Sequence, residues 1–134
     1  MELHLKIIGV LLILLSLGHL AFPKYFNWEK ELRHLSLINR QMMFVHTFFI
    51  AFIVLLMGLM CLFSYEELLT TKLGKTITLG LSAFWMIRLF FQFFVYSIKL
   101  WKGKRFETLV HIIFSMLWSY LSVIFIMSAM SNPN

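Results

Sequence analysis

The sequence predicts an all-α integral membrane protein, a single domain built as a bundle of four transmembrane helices. Hydrophobic residues make up 60% of the 134 residues and charged residues only 13%, and the mean hydropathy is +0.85. A soluble domain of this length could not bury so much apolar surface, so the composition fits a lipid solvent. Four apolar stretches are each long enough to cross a bilayer, at residues 5–22, 42–63, 77–100 and 107–130.

The composition also excludes several kinds of site. The chain has six acidic residues, all glutamates, and no aspartate, which excludes a Ser-His-Asp arrangement. Because no glutamate lies inside an apolar span, a buried carboxylate pair for a proton relay is also excluded. Cys61 is the only cysteine, so an internal disulfide and a thiolate metal cluster are excluded. The net charge of +6 comes from cations that flank apolar spans, where anionic lipids are better partners than nucleic acid.

The first span, residues 5–22, is predicted to be an uncleaved helix and not a signal peptide. No small-x-small cleavage pattern follows the apolar stretch, and Pro23 is predicted to end the helix. Short connections separate the later spans: a polar turn at residues 64–76 and a basic turn at residues 101–105. Residues 131–134 are predicted to form a short stub.

The connection between the first two spans, residues 24–39, carries helical periodicity. Asn27 can cap a helix, and Trp28, Leu32 and Leu35 recur at the spacing of one helical face. The sequence therefore predicts a short in-plane interfacial helix here, with a solvated loop as the alternative.

The distribution of Lys and Arg predicts the orientation. Eight of these cations lie in the connections after spans one and three, against three on the opposite side. The positive-inside rule places both termini outside and the two basic connections in the cytoplasm.

The third span carries a polar stripe within its apolar sequence. Arg88 lies near the middle of the span, and a charge at that depth costs several kcal/mol unless it faces a protein interior or a wet cavity. A guanidinium has five N–H donors, and no span offers a carboxylate to receive them. The residues predicted to share the face of Arg88 are Ser82, Trp85, Gln92, Tyr96 and Lys99.

Two readings of Arg88 remain open at this point. The guanidinium could be satisfied by Gln92, by Tyr96 or by Glu31 from the interfacial helix. It could instead hold the anionic or carbonyl headgroup of a lipid-like or quinone-like molecule. The predicted ligand-binding residues are Arg88, Gln92, Tyr96, Trp85, Arg40, Gln41 and Glu31.

Three histidines are predicted to lie at the same depth as this polar layer. His19, His46 and His111 each lie about one turn from the predicted cytoplasmic end of a span, roughly 5–10 Å below the interface. Neutral imidazole binds metal ions and b-type haem, which makes a metal or haem site one alternative. The other is that each ring forms a hydrogen bond across a helix interface.

Three segments form a recognisable pattern: W-E-K-E-L at residues 28–32, L-S-L-I-N-R-Q at 35–41 and W-M-I-R-L-F-F-Q-F-F at 85–94. The pattern resembles that of a family of small uncharacterised bacterial four-span membrane proteins, which share W-x-x-E-L…L-N-R-Q and aromatic-x-x-R-L-x-x-Q-F-F motifs. The resemblance implies no activity. In size and number of spans the chain is also similar to DoxX-like proteins, without a shared motif. The residues that the resemblance places in the family pattern are Trp28, Glu31, Asn39, Arg40, Gln41, Arg88 and Gln92.

The predicted function is non-enzymatic. A polar pocket around Arg88, in the cytoplasmic leaflet, is predicted to bind a lipid-like or quinone-like headgroup or to dock a partner. One alternative is a haem- or metal-binding redox protein that uses His19, His46 and His111. Another is a purely structural subunit of a larger membrane complex or homo-oligomer.

Overall fold

The computed structural model describes all 134 residues, and the chain is helical throughout. Four helices are long and apolar enough to cross a membrane, which confirms the all-α class and the number of candidate spans. Three short helices (α2, α3 and α5) and one 3-10 turn lie in the connections. The long helices are α1 (Glu2–His19), α4 (Leu37–Phe63), α6 (Lys72–Phe94) and α7 (Arg105–Ser131), and the short elements are α2 (Phe22–Tyr25), α3 (Trp28–Glu31), α5 (Tyr65–Thr70) and the 3-10 turn (Ile98–Leu100).

The chain divides into two compact units. The N-terminal unit is Leu5–Tyr65, and the C-terminal unit is Glu66–Asn134 together with Met1–His4. A single transmembrane domain stays a prediction.

The first helix ends earlier than its apolar pattern indicates. α1 ends at His19, whereas the predicted span continues to residue 22. Pro23 does not end this helix but lies in the first turn of α2. A proline is tolerated there because the first turn of a helix has no carbonyl partner for its N–H group.

The connection that was predicted to hold one helix contains two single turns. Asn27 separates α2 from α3 and has left-handed backbone angles, φ 50° and ψ 48°, which interrupt the helix. Its side chain forms no capping hydrogen bond. Trp28 is buried and packs edge-on against Phe44 of α4, with 5.4 Å between ring centroids. This aromatic contact anchors the connection to α4.

The second and third long helices both start earlier than predicted. α4 begins at Leu37 and not at residue 42, so Arg40 and Gln41 lie in its first two turns. α6 begins at Lys72, where the side chain of Thr71 accepts a hydrogen bond from the Gly74 N–H at 2.9 Å. Because the first turns of α4 and α6 contain polar residues, a hydropathy pattern does not predict that they are helical.

Within the N-terminal unit, α1 and α4 approach closely at two glycines. A Cβ atom on Gly58 would lie 2.9 Å from the Gly9 carbonyl oxygen, and one on Gly9 would lie 2.9 Å from the Gly58 carbonyl oxygen. The Ser16 hydroxyl donates a hydrogen bond to the Ala51 carbonyl oxygen at 2.7 Å. Small residues allow this approach, and it gains van der Waals contact that larger side chains would prevent.

Within the C-terminal unit, α6 and α7 pack as a hairpin. The buried Ser82 hydroxyl donates to the Ser122 carbonyl oxygen at 3.0 Å across the interface. Two serines of α7 donate within their own helix: the Ser115 hydroxyl to the His111 carbonyl oxygen and the Ser119 hydroxyl to the Ser115 carbonyl oxygen, both at 2.8 Å. These two hydroxyls are satisfied within α7, whereas the hydroxyl of the buried Ser128 on the same helix has no partner.

The predicted C-terminal stub is a structural element. Asn132 is 3% exposed, and its amide nitrogen donates to the carbonyl oxygens of Leu68 at 3.3 Å and of Thr71 at 2.8 Å. The Asn134 amide donates to the Thr70 carbonyl oxygen. Because the last carbonyls of a helix have no partner within it, these asparagines satisfy the end of α5.

Candidate functional site

The site is centred on Arg88 and Gln92, one turn apart on α6. Arg88 is half-buried, and its Nη1 donates a hydrogen bond to Gln92 Oε1 at 3.3 Å. Gln92 is 8% exposed. The i, i+4 spacing brings the two side chains together on one face of the helix, as predicted from the sequence.

Gln92 connects α6 to His111 of α7. Gln92 Nε2 lies 2.8 Å from His111 Nδ1. A guanidinium only donates, so the amide oxygen must face Arg88 and the amide nitrogen must face the histidine. The Nδ1 atom of His111 is then an acceptor, which assigns the ring proton to Nε2. Arg88, Gln92 and His111 thus form a hydrogen-bonded relay with one direction.

The His111 ring is fixed by two aromatic contacts. Trp101 stacks on it with 3.9 Å between centroids and an interplanar angle of 11°, and Phe93 meets it edge-on at 5.8 Å. Thr108 holds Trp101 in place by donating to its carbonyl oxygen at 2.7 Å. Sequence analysis missed Trp101 and Phe93 because their roles depend on the turn at Gly103, whose φ is 79°.

Two aromatic rings surround the Arg88 guanidinium. Its Cζ atom lies 5.0 Å from the Trp118 ring centroid and 5.5 Å from that of Tyr96. Such cation–π contacts contribute roughly 0.5–2 kcal/mol each, depending on exposure. The sequence stripe predicts Tyr96 on the same helix as Arg88. In the structure Tyr96 lies beyond the end of α6, which is Phe94. The Tyr96 N–H bonds back to the Phe91 carbonyl oxygen at 3.2 Å, which returns the ring toward Arg88.

Two buried indole groups lie beside the guanidinium. Trp85 and Trp118 stack with 5.0 Å between centroids and an interplanar angle of 10°. Both are almost fully buried, and neither Nε1–H has a hydrogen-bond partner. A buried donor without an acceptor costs about 1–3 kcal/mol. The sequence predicted Trp85 here, and only the structure places its unpaired N–H.

The remaining predicted ligand-binding residues belong to the N-terminal unit. Arg40 is half-buried and Gln41 is exposed, both near the start of α4. Glu31 is exposed at the end of α3. Their grouping with Arg88 stays a prediction.

The three histidines have different surroundings. His19 Nδ1 donates to the Leu15 carbonyl oxygen at 2.8 Å, and its ring lies 4.7 Å from that of Phe22. His46 is exposed on α4. His111 accepts from Gln92 in the relay described above. No group of three or more His, Cys, Asp or Glu side chains in the structure could hold a metal ion.

Comparison of this chain with protein-family models, with curated proteins and with solved structures finds no match. The interpretation of the site therefore depends on its own geometry and chemistry.

Proposed function

We propose that this protein is a multi-pass membrane protein whose α6–α7 hairpin binds the acceptor headgroup of a lipid-like or quinone-like molecule at Arg88. The role is one of binding and not of catalysis. The headgroup would be a phosphate, a carboxylate or a ring carbonyl, each of which offers oxygen lone pairs to the guanidinium.

The observation that carries this proposal is the direction of the relay. Gln92 Oε1 accepts from Arg88, and His111 Nδ1 accepts from Gln92. The donors around them that can face a ligand are the other N–H groups of the half-buried Arg88; the indole N–H groups of Trp85 and Trp118 also lack an acceptor but are enclosed by protein. A site with surplus donors in an apolar surrounding is complementary to a ligand that only accepts hydrogen bonds.

The proposal includes an orientation in a bacterial cytoplasmic membrane. Both termini would lie outside, and the two basic connections would lie in the cytoplasm. The motif resemblance to small bacterial four-span proteins supports the bacterial location. The basic turn after α6 carries four of the cations on which this orientation depends: Lys99, Lys102, Lys104 and Arg105.

Single-cysteine labelling tests the orientation. In a Cys61→Ser background, Lys72→Cys and Lys102→Cys each place a thiol at an exposed position, the first at the start of α6 and the second beyond its end. We expect a membrane-impermeant maleimide to label Lys72→Cys in intact spheroplasts and Lys102→Cys only after permeabilisation. The reverse pattern, or labelling of both cysteine variants in intact spheroplasts, would contradict the proposed orientation.

Replacement of the guanidinium tests the binding site. We expect Arg88→Gln to lower the amount of co-purified lipid or quinone per protein about tenfold or more, because a hydrogen bond to a charged group contributes about 1.5–3 kcal/mol. The measurement is mass spectrometry of the organic extract from protein purified in a mild detergent. Lys72→Gln removes one charge at the exposed start of the same helix and should retain the wild-type amount.

Three outcomes would count against the binding site. The first is a wild-type protein that retains no stoichiometric molecule, and the second is an Arg88→Gln variant that retains as much as the wild type. The third is a Soret absorption band or stoichiometric metal in the same preparation, which would favour the histidine site.

A purely structural subunit is the second candidate function. The observation that favours it is that the partners of the guanidinium, Gln92, Tyr96 and Trp118, all belong to its own hairpin. In that case Arg88→Gln should lower the melting temperature of a wild-type protein that carries no ligand. Native mass of the detergent-extracted assembly would then identify a second subunit or copy.

A further inference from the structure

A second region rich in cations lies apart from the Arg88 relay, at the turn between α6 and α7. Its cations are all exposed, and Glu107 is the one carboxylate in this stretch. Gly103 allows the tight turn because its φ is 79°, a value that other residues rarely adopt. The cations of the turn are Lys99, Lys102, Lys104 and Arg105.

A groove of about 500 Å³ runs from this turn along the first turns of α7. The groove is lined on α7 by the residues at positions 105, 108, 109 and 112. Their spacing places them on one face of this helix. Glu107 is not among the lining residues. The groove is lined by Gly103, Lys104, Arg105, Thr108, Leu109 and Ile112.

The lining changes character along the groove. Lys104 and Arg105 supply positive charge at the turn, whereas Leu109 and Ile112 further along the helix are 55% and 49% exposed. The Thr108 hydroxyl already donates to the Trp101 carbonyl oxygen at 2.7 Å, so the cations are the main donors for a ligand. A cationic end that continues into an apolar floor matches a molecule with an anionic head and a hydrocarbon tail.

We propose that this groove binds one anionic glycerophospholipid. Its phosphate would lie against Lys104 and Arg105, and the upper part of one acyl chain would lie against Leu109 and Ile112. Arginine pairs with phosphate through two parallel hydrogen bonds, and lysine adds a point charge. A zwitterionic headgroup is a poorer match, because its ammonium group would lie beside the cations Lys104 and Arg105. The inference rests on the proposed insertion in a bilayer but not on ligand binding at Arg88.

The test is a lipid titration of the full chain in detergent, followed by native mass spectrometry. The probes are phosphatidylglycerol and phosphatidylcholine with identical acyl chains. We expect the wild type to bind the first at least tenfold more tightly. The double variant K104Q/R105Q should bind phosphatidylglycerol about thirtyfold more weakly, because each basic residue near an anionic lipid contributes roughly 1 kcal/mol.

The matched control is K24Q/K30Q, which removes two exposed lysines from the other basic connection. We expect it to change phosphatidylglycerol affinity less than threefold. If the two double variants lost phosphatidylglycerol affinity equally, the attraction would be diffuse and electrostatic. That result would overturn the proposal that the groove is a binding site. Displacement of the lipid by millimolar inorganic phosphate would overturn the lipid assignment, since the site would then bind a free anion.

The Arg88→Gln variant keeps this test separate from the proposed function. We expect it to retain the preference for phosphatidylglycerol, since Arg88 is not among the lining residues. If its preference is lost to the same extent as in K104Q/R105Q, the groove is not an independent site.

Discussion

Alanine in place of Gly74 is expected to lower the free energy of unfolding by about 3 kcal/mol, a loss typical of severe overpacking. A Cβ atom there would lie 2.1 Å from the Glu67 carbonyl oxygen and 2.6 Å from the Leu68 Cα. Both are backbone atoms of α5, and they cannot move aside as a side chain can. The corner between α5 and α6 would have to open. Thermal unfolding in detergent, followed by circular dichroism, measures the effect.

Gly80 provides the matched control on the same helix. A Cβ atom at Gly80 would meet nothing within 4 Å. We expect Gly80→Ala to stabilise the protein slightly, by about 0.5–1 kcal/mol, because alanine loses less backbone entropy in a helix. Similar melting temperatures for Gly74→Ala and Gly80→Ala would show that α5 and α6 do not pack as closely as described.

Leucine in place of Gly58 is expected to separate α1 from α4. A Cβ atom at this position already lies 2.9 Å from the Gly9 carbonyl oxygen and 3.2 Å from the Ile13 backbone nitrogen. The remaining atoms of leucine have no space between the two backbones. We expect a loss of about 3 kcal/mol or more in the free energy of unfolding, measured by denaturation of the detergent-solubilised protein.

Gly18→Leu makes the same chemical change in α1 at an open position. A Cβ atom at Gly18 would meet nothing within 4 Å, so we expect little change in stability. The contact between α1 and α4 would be refuted if the two leucine variants unfolded at the same denaturant concentration.

The Arg88 relay explains how an arginine can persist within an apolar helix. Its charge is delocalised over a planar group that two aromatic rings contact, and its one hydrogen bond goes to a buried glutamine. Gln92 in turn is oriented by His111. Each partner fixes the direction of the next, so the guanidinium is oriented by hydrogen bonding and aromatic contact alone.

Sequence patterns predicted the existence of the long helices more accurately than the residues at which these helices begin and end. The interiors of the four spans were recognised because apolar residues fill them without interruption, whereas α4 and α6 begin among polar residues that hydropathy assigns to turns. The pairing of Arg88 with Gln92 was predictable because both lie one turn apart on one helix. Helical periodicity also predicted Tyr96 beside Arg88, but Tyr96 lies beyond the end of α6 and reaches Arg88 through a turn. The contact of His111 with Trp101 depends on the turn between α6 and α7, which no periodicity describes.

The sequence alone determined the chemistry of this protein: four apolar helices, cations concentrated in two connections, and one arginine in an apolar span. These follow from composition and from the period of a helix, which are properties of the chain itself. Which donors find acceptors, and which glycines lie against a backbone, follows from tertiary packing. Those outcomes depend on distances between residues far apart in sequence, such as Gly9 and Gly58 or Gln92 and His111.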